Sequence, residues 1–174
     1  MKLNDVIKEF VDVPNFPKSG IIFKDISKLF ENPEAFCLVI DSFIKQIKKY
    51  NFDAILSLEA RGWLFATTLA YKLNKPLVLI RKEGKLPSPD EKIISYNSEY
   101  AETKLQVAKD SLNNYQKFIL IDDIIATGGS LVAIQNYLEQ QNKELVKSFF
   151  VIDLINVPKV ETIKNEFYHS LFNL

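Results

Sequence analysis

The sequence has few of the residues that cross-link a fold or ligate a metal. Its 174 residues include one cysteine, Cys37, and one histidine, His169. A single cysteine excludes an internal disulfide framework and fits a reducing compartment. The lone histidine has no cysteine or second histidine as a companion, which argues against a histidine-based metal centre or catalytic triad.

Excess charge of one sign and long hydrophobic runs are also missing. Lys and Arg number 22, and Asp and Glu number 22. The resulting net charge of zero argues against an extended nucleic-acid-binding surface. No apolar run approaches the ~20 residues of a membrane-spanning helix, and the charged N-terminal stretch lacks the apolar core of a signal peptide. We therefore expect a cytoplasmic protein with no nucleic-acid or membrane partner.

What the sequence does contain is an alternation of apolar strands and amphipathic helices. Its length and 47% hydrophobic content fit one compact domain, which we predict spans residues 1–174. The alternation predicts an α/β fold, a parallel-rich open sheet with helices on both faces. Predicted strands cover residues 21–23, 53–58, 76–81, 103–109, 117–121, 146–155 and 167–172. Predicted helices cover residues 2–11, 33–47, 62–73, 130–142 and 158–165.

Two local features qualify this pattern. Cys37 lies among apolar residues of the second helix, so we predict that it belongs to the core. Residues 82–100 are charged, contain Pro87 and Pro89, and show little apolar periodicity, which predicts a loop. A loop of this length in a compact domain is more often functional than accidental.

The stretch FILIDDIIATGGS, residues 118–130, combines two features of a ligand site. Its apolar strand runs into Asp122 and Asp123, and ligands of open α/β sheets bind beyond the carboxyl ends of strands. The following loop enters a helix, whose free backbone N–H groups suit a phosphate. It contains two of the chain's five glycines, which let the backbone approach a ligand closely. The predicted phosphate-binding residues are Ala126, Thr127, Gly128, Gly129 and Ser130.

The acids and the loop together indicate a phosphorylated sugar. The loop would bind the phosphate, while the carboxylates would hold vicinal hydroxyls or a metal ion. The alternative is a strand-end acid followed by a tight turn. The loop has neither the Gly-Lys-Ser/Thr ending of a P-loop nor the G-x-G-x-x-G of a dinucleotide-binding fold.

This stretch resembles the phosphoribosyl-diphosphate (PRPP) signature of the type I phosphoribosyltransferases. Four other segments resemble adenine-using members of that family in the same order, so the resemblance covers nearly the whole chain. They are VPNFPKSGIIFKDIS, LEARGWLF, LVLIRKEGKLP and SYNSEYAETKLQV. The resemblance implies purine salvage, in which adenine and PRPP give AMP and diphosphate. It also implies a homodimer, an N-terminal base-binding hood over residues 1–32, and Mg²⁺ bound mainly through PRPP without a dedicated protein cage.

The resemblance assigns roles to individual residues. Asp122, Asp123, Arg61 and Glu99 are expected to be catalytic, with Glu99 as a general acid towards the purine and Tyr100 positioning its loop. The expected diphosphate-binding residues are Glu59, Ala60, Arg61, Arg81, Lys82 and Lys85, with a cis peptide between Glu59 and Ala60. The expected adenine-binding residues are Ile22, Phe23 and Lys24, where the family often has arginine at the last position.

Each of these segments also has a simpler interpretation. Glu59 and Arg61 could form a surface ion pair, the charged run from Arg81 could be a solvated face, and Phe23 could be a core residue. Two rival functions remain at this point. One is a phosphoribosyltransferase acting on hypoxanthine, guanine or xanthine, and the other is a non-catalytic regulator that keeps the PRPP loop as a sensor.

Overall fold

The computed structural model describes residues 1–87, 92–97, 102–108, 110–163 and 165–174. The chain forms two compact units, Met1–Lys45 and Gln46–Leu174. The single domain that we predict from the sequence stays a prediction. None of the helices in the described ranges is long and apolar enough to span a membrane.

The first unit is built around a short antiparallel hairpin. Its elements are a 3-10 helix Leu3–Glu9, strands β1 Val11–Pro14 and β2 Ile22–Asp25, helix α1 Ser27–Glu31, and helix α2 Pro33–Ile47, which runs into the second unit. The N-terminal helix is thus shorter and tighter than the predicted one. The turn between β1 and β2 uses a cis Phe16–Pro17 bond and left-handed backbone at Asn15 and Gly20.

Helix α2 corrects the prediction for Cys37, whose side chain is exposed. The buried stripe of this helix repeats every four residues at Ala35, Val39, Phe43 and Ile47. Cys37 is two residues from the nearest members of that stripe, so it points about 200° around the helix from them. Its apolar neighbours in the sequence therefore do not place it in the core.

The second unit is a seven-stranded sheet with the strand order β5-β6-β4-β3-β7-β8-β9. Its strands are β3 Ala54–Leu58, β4 Leu77–Lys82, β5 Lys92–Asn97, β6 Glu102–Val107, β7 Lys117–Ile125, β8 Glu144–Asp153 and β9 Tyr168–Asn173. Five neighbouring strands of this order pair in parallel, namely β4, β3, β7, β8 and β9. Strands β6 and β5 add an antiparallel edge next to β4. The predicted parallel-rich α/β sheet is confirmed.

Two helices cover the sheet, α3 Gly62–Leu73 and α4 Gly129–Gln140. The apolar side of α4 packs with Leu56, Leu120 and other alternate residues of β3 and β7 in one buried cluster. Since successive strand residues face opposite sides, Ile55 and Ile119 serve the other face, where α3 contacts both strands. Every residue of β3 is buried, as expected for a parallel strand covered on both faces.

Three predicted boundaries are wrong. The loop predicted over residues 82–100 contains β5, which pairs with β6 along its whole length. Strand β7 continues through both aspartates to Ile125 instead of ending at residue 121, because β8 pairs with it that far. Residues 158–163 form no helix and have a turn at residues 161 and 162, since Val160 N–H donates to the carbonyl of Thr127 and not to a carbonyl of its own segment.

Candidate active site

The site lies where β7 runs past its neighbour β3. The parallel pairing of these strands ends at Ser57 and Ile121, whereas β7 and β8 stay paired to Ile125 and Asp153. Asp122 and Asp123 therefore follow the last residue of β7 that pairs with β3. They lie beside the turn that connects β3 to α3, at the edge where open α/β sheets bind ligands.

Asp122 faces the first residue of α3 at close range. Its Oδ1 accepts a hydrogen bond from Asp123 N–H at 2.9 Å. A Cβ atom placed on Gly62 would clash with this oxygen and would lie 2.9 Å from Ser57 Oγ. Ser57 Oγ in turn donates to the Ile121 carbonyl at 2.8 Å, which ties β3 to β7 directly below the acids. Only glycine fits between the helix start and the carboxylate.

Asp123 is 7% exposed and forms an ion pair with Arg61. The distance from Arg61 Nε to Asp123 Oδ2 is 2.6 Å, yet this oxygen has no partner in hydrogen-bond geometry. Burial raises the pKa of Asp123, and the charge of Arg61 opposes the rise. Burial and the charge of Asp123 together raise the pKa of Asp122 well above its ordinary value. The pair therefore resists ionisation unless a ligand compensates its charge.

A second cluster joins the β3–α3 turn to the end of β4. Arg81 Nε contacts Glu59 Oε2 at 3.1 Å and Arg81 Nη1 donates to the Lys85 carbonyl at 2.6 Å. The Arg81 guanidinium also lies 5.4 Å from the centre of the Trp63 ring. The side chains of Lys82 and Lys85 are exposed. The cluster therefore holds the turn with Arg61 next to the end of β4 with Arg81, and both segments carry cationic side chains.

This geometry decides whether Glu59 and Arg61 form an ion pair with each other. Glu59 pairs with Arg81 and Arg61 pairs with Asp123, so the surface pair between Glu59 and Arg61 is not the arrangement observed. The predicted cis peptide between Glu59 and Ala60 is confirmed.

The predicted phosphate loop connects β7 to α4. Gly128 is the N-cap of α4 with φ 80° and ψ 6°, a left-handed conformation that favours glycine. Gly128 has no side chain with which to cap the helix, and Gly129 N–H donates a long hydrogen bond of 3.4 Å to Thr127 Oγ1. The first N–H groups of a helix have no partner within it, so a phosphate is a suitable acceptor here.

The predicted adenine-binding residues lie in the first unit, on β2. Phe23 packs edge to face against Phe16, with ring centres 5.2 Å apart. Ile22 is 58% exposed. Lys24 lies opposite Asp12 in the β1–β2 hairpin, and Lys24 Nζ contacts Asp12 Oδ1 at 2.6 Å. The lysine that replaces the family's usual arginine thus forms a cross-strand ion pair.

Two predicted residues, Glu99 and Tyr100, lie outside the described residues. Two positions that sequence reasoning missed stand out instead. Gly62 is one of only five glycines and opens a helix directly after a buried strand, which is a usable signal. Asp153 is the last residue of the apolar strand β8, and Asp122 lies close to the end of the apolar strand β7. The pattern of an apolar strand that runs into an acid could therefore have identified Asp153 as well.

No group of three or more His, Cys, Asp or Glu side chains is placed to hold a metal ion within the described part of the chain. The two adjacent aspartates nevertheless offer hard oxygen donors, one of them without a hydrogen-bond partner. Such oxygens suit Mg²⁺, which binds few protein ligands and keeps waters or substrate oxygens.

A parallel sheet with acids and a glycine-started helix at its carboxyl edge is the arrangement expected of an α/β protein that binds a phosphorylated sugar. The phosphoribosyl transferase domain model matches residues 25–164. The chain therefore belongs to the phosphoribosyltransferase family.

The relatives within this family are similar over most of their length. Adenine phosphoribosyltransferase of Thermosipho melanesiensis is 44% identical over 151 residues, which cover 85% of each chain. The crystal structure of adenine phosphoribosyltransferase from Thermoanaerobacter pseudethanolicus matches with a TM-score of 0.91 at 31% identity, covering 99% of this chain and 100% of that one. The enzyme of the same name from Saccharomyces cerevisiae, crystallised with an imino-altritol bisphosphate and adenine, matches with a TM-score of 0.80 at 32% identity over 97% of both chains.

Proposed function

We propose that this chain transfers the 5-phosphoribosyl group of PRPP to adenine and releases AMP and diphosphate, a reaction of purine salvage. The observation that carries the proposal is the pair of adjacent carboxylates, Asp122 and Asp123, at the carboxyl edge of the sheet, on the strand that leads into the glycine start of α4. Membership of the family and 44% identity with an adenine phosphoribosyltransferase support the choice of substrates.

Asp122 and Asp123 hold the ribose in this proposal. They accept hydrogen bonds from the ribose hydroxyls. These neutral donors partly replace the water that the carboxylates lose on burial. As the bond from C1 to the diphosphate oxygen breaks, positive charge develops on the ribose ring. The two carboxylates stabilise that charge, and electrostatic stabilisation of this kind is often the largest catalytic contribution.

The loop Ala126, Thr127, Gly128, Gly129 and Ser130 binds the 5′-phosphate of PRPP and later of AMP. The backbone N–H groups at the start of α4 donate to the phosphate oxygens, and the positive end of the helix dipole favours the charge. The hydroxyls of Thr127 and Ser130 add donors. Holding the phosphate end fixes the ribose above the acids, so that the reacting carbon is presented in one orientation.

The leaving diphosphate is bound by the β3–α3 turn and the end of β4. Arg61 is partly exposed, so its guanidinium can keep Asp123 on one side and meet an anion on the other. The exposed ammonium groups of Lys82 and Lys85 add charge. Glu59 orients Arg81, and Ala60 contributes its backbone to the turn.

Mg²⁺ is the proposed cofactor. Asp122 and Asp123 would hold it, directly or through water, together with oxygens of PRPP. When bound, it would neutralise charge on the diphosphate as that group leaves. A bound Mg²⁺ would also compensate the charge of the two neighbouring acids, whose ionisation is opposed in the ligand-free protein.

Adenine binds to Ile22, Phe23 and Lys24 in the proposal. The exposed aliphatic surface of Ile22 and the ring of Phe23 offer apolar contact to a flat base. The attacking nitrogen of adenine forms a bond to C1 of the ribose as the bond from C1 to the diphosphate oxygen breaks, and the proton of that nitrogen is released to water. Glu99 is proposed to act as a general acid towards the purine, and Tyr100 to position the segment that carries it.

A homodimer in the cytoplasm completes the proposal. Helix α3 and its neighbour β4 expose three large apolar side chains, Leu64, Tyr71 and Leu79, and Tyr71 is 84% exposed. Exposed apolar residues on adjacent elements support a protein–protein contact. Sedimentation equilibrium would give twice the 20.0 kDa chain mass if the proposal is right.

The test is a comparison of four bases with PRPP and Mg²⁺, following the mononucleotide product. We expect AMP from adenine, and at least ~100-fold lower kcat/KM with hypoxanthine, guanine and xanthine, because an oxo group replaces the amine and leaves buried polar groups unpaired. A preference for an oxopurine would reassign the base. No product with any base, while PRPP still binds, would favour the regulator.

A further inference from the structure

A short segment after β8 reaches back to the phosphate loop. Residues 154–163, which we call the brace, begin where Leu154 N–H donates to the Ile125 carbonyl at 3.0 Å, at the last residue of β7. The phosphate loop leaves β7 at the same residue. The brace and the loop therefore start side by side at the carboxyl edge of the sheet.

The base of the brace is held by Lys159. Its ammonium lies 2.8 Å from Asp153 Oδ1 and donates to the carbonyl of Leu154 at 2.8 Å. A longer contact of 3.4 Å joins it to the carbonyl of Val157. The second oxygen of Asp153 accepts a hydrogen bond from Tyr168 at 2.9 Å. One lysine thus compensates a buried acid and folds the segment back on itself.

The tip of the brace contacts the phosphate loop twice. Val160 N–H donates to the Thr127 carbonyl at 2.9 Å. The side chain of Ile163 packs so close to Gly128 that a Cβ atom there would clash with its Cδ1. In a trans peptide the N–H points opposite to the C=O, so anchoring the Thr127 carbonyl to the brace aims the Gly128 N–H away from the brace.

We propose that the brace fixes the 5′-phosphate loop in its binding conformation and that Lys159 is the positioning residue that holds the brace. The inference rests on the proposed function, because it concerns the loop assigned to the 5′-phosphate. The ammonium of Lys159 bonds to Asp153 of β8 and to the brace carbonyls of Leu154 and Val157, so its effect reaches the phosphate through Val160 and Ile163.

The experiment measures two affinities by calorimetry, those for AMP and for magnesium diphosphate, with the full chain. In Lys159→Met, which keeps the side-chain length and removes the charge, we expect the Kd for AMP to rise about tenfold. The Kd for magnesium diphosphate should stay within about twofold, since the contacts that hold the brace go to β7, β8 and the phosphate loop. Lys159→Arg should recover most of the AMP affinity because it keeps the charge.

Lys143→Met is the matched control. Its ammonium donates to the Tyr115 carbonyl at 2.6 Å, at the opposite end of the strands. We expect a lower unfolding temperature and unchanged AMP affinity. Ile163→Ala tests the tip of the brace and should weaken AMP alone, which keeps the idea testable if Lys159→Met does not fold.

Three results would overturn the role of the brace. They are unchanged AMP affinity in both brace variants, an equal loss of AMP and diphosphate affinity, and a loss of AMP affinity in the Lys143→Met control. If the wild-type protein bound diphosphate but no AMP, the proposed function would fail first and the brace with it.

Discussion

The two ends of the parallel strands use aspartate in opposite ways. At the amino end, just before β3, Asp53 Oδ2 accepts hydrogen bonds from the backbone N–H groups of Gln116 and Lys117 at 2.9 and 2.8 Å. These two bonds lower the pKa of Asp53. At the carboxyl end, burial raises the pKa values of Asp122 and Asp123, and Asp123 Oδ2 lacks a hydrogen-bond partner.

The difference separates an acid that supports the fold from acids that serve a ligand. An ionised Asp53 is favoured by folding, because folding supplies its hydrogen-bond donors. Folding opposes the ionisation of Asp122 and Asp123, because it removes water from the carboxylates and places two like charges together. Groups whose pKa values are raised by burial are typical of functional sites, and their cost to stability is commonly retained because function requires it.

The largest effect should come from removing both charges at the carboxyl end. In the double variant Asp122→Asn, Asp123→Asn we expect AMP formation to fall by about a thousandfold or more, since charge stabilisation at the ribose and the proposed Mg²⁺ site are lost. Product chromatography measures the rate, and circular dichroism should show an intact fold. Near-normal turnover would mean that the acids do not carry the chemistry.

A methyl group at the start of α3 should also damage the carboxyl end. In Gly62→Ala the new Cβ clashes with Asp122 Oδ1, so the carboxylate must move. We expect kcat/KM to fall by roughly 100-fold and stability by about 1–3 kcal/mol.

The control for Gly62→Ala is Ala70→Gly on the same helix. It should lower stability by about 1 kcal/mol through helix propensity and leave kcat/KM unchanged. Equal activity in both variants would show that the space beside Asp122 is not needed.

At the amino end the same kind of test should affect stability alone. Asp53→Ala removes the acceptor for two backbone N–H groups, so we expect the free energy of unfolding in urea to drop by about 1–2 kcal/mol with unchanged AMP formation. Because the folded pKa of Asp53 lies below 3.8, its stabilisation is present above that pH and is lost as the pH falls through the folded value. A loss of activity in Asp53→Ala would contradict the claim that the acid at the amino end serves stability alone.

Much of this site is readable from the sequence because its signals are local. The apolar run into Asp122 and Asp123 and the paired glycines occupy thirteen consecutive residues, 118–130, and the helix begins at the second of these glycines. The need for glycine at position 62 is not local, since it arises from a carboxylate 60 positions later in the chain. The turns of the brace likewise depend on Thr127, which accepts the hydrogen bond that a helix would have kept internal.

The errors in the fold have similar causes. Strand β5 is stabilised by its partner β6, and its own residues show too little alternation to reveal it. Cys37 has apolar neighbours, but the four-residue spacing of the buried stripe leaves it outside. Periodicity predicts which segments are helices or strands better than it predicts the direction of a single side chain.

The smallest expected effect concerns Tyr168, whose hydroxyl donates a hydrogen bond to Asp153 at the carboxyl end. Burial first, and then the hydrogen bond to Asp153, raises the pKa of Tyr168 from 10.0 to about 12. The folded state therefore holds the phenol proton more tightly, so this contribution to stability is complete below pH 10.0 and is lost as the pH rises towards 12. Urea unfolding of Tyr168→Phe should show a weaker decline over that range, and an identical decline would contradict the assignment.

The most direct test is the stability of the ligand-free single variant Asp122→Asn. The amide keeps the oxygen that accepts Asp123 N–H and removes the opposed charge. At pH 8 we predict that the free energy of unfolding in urea rises by about 1 kcal/mol while AMP formation falls, though by less than in the double variant, and that the gain in stability shrinks as the pH falls towards 3.8. A variant that is less stable than the wild type at pH 8, or equally stable, would contradict the claim that this carboxylate is held against the preference of the fold.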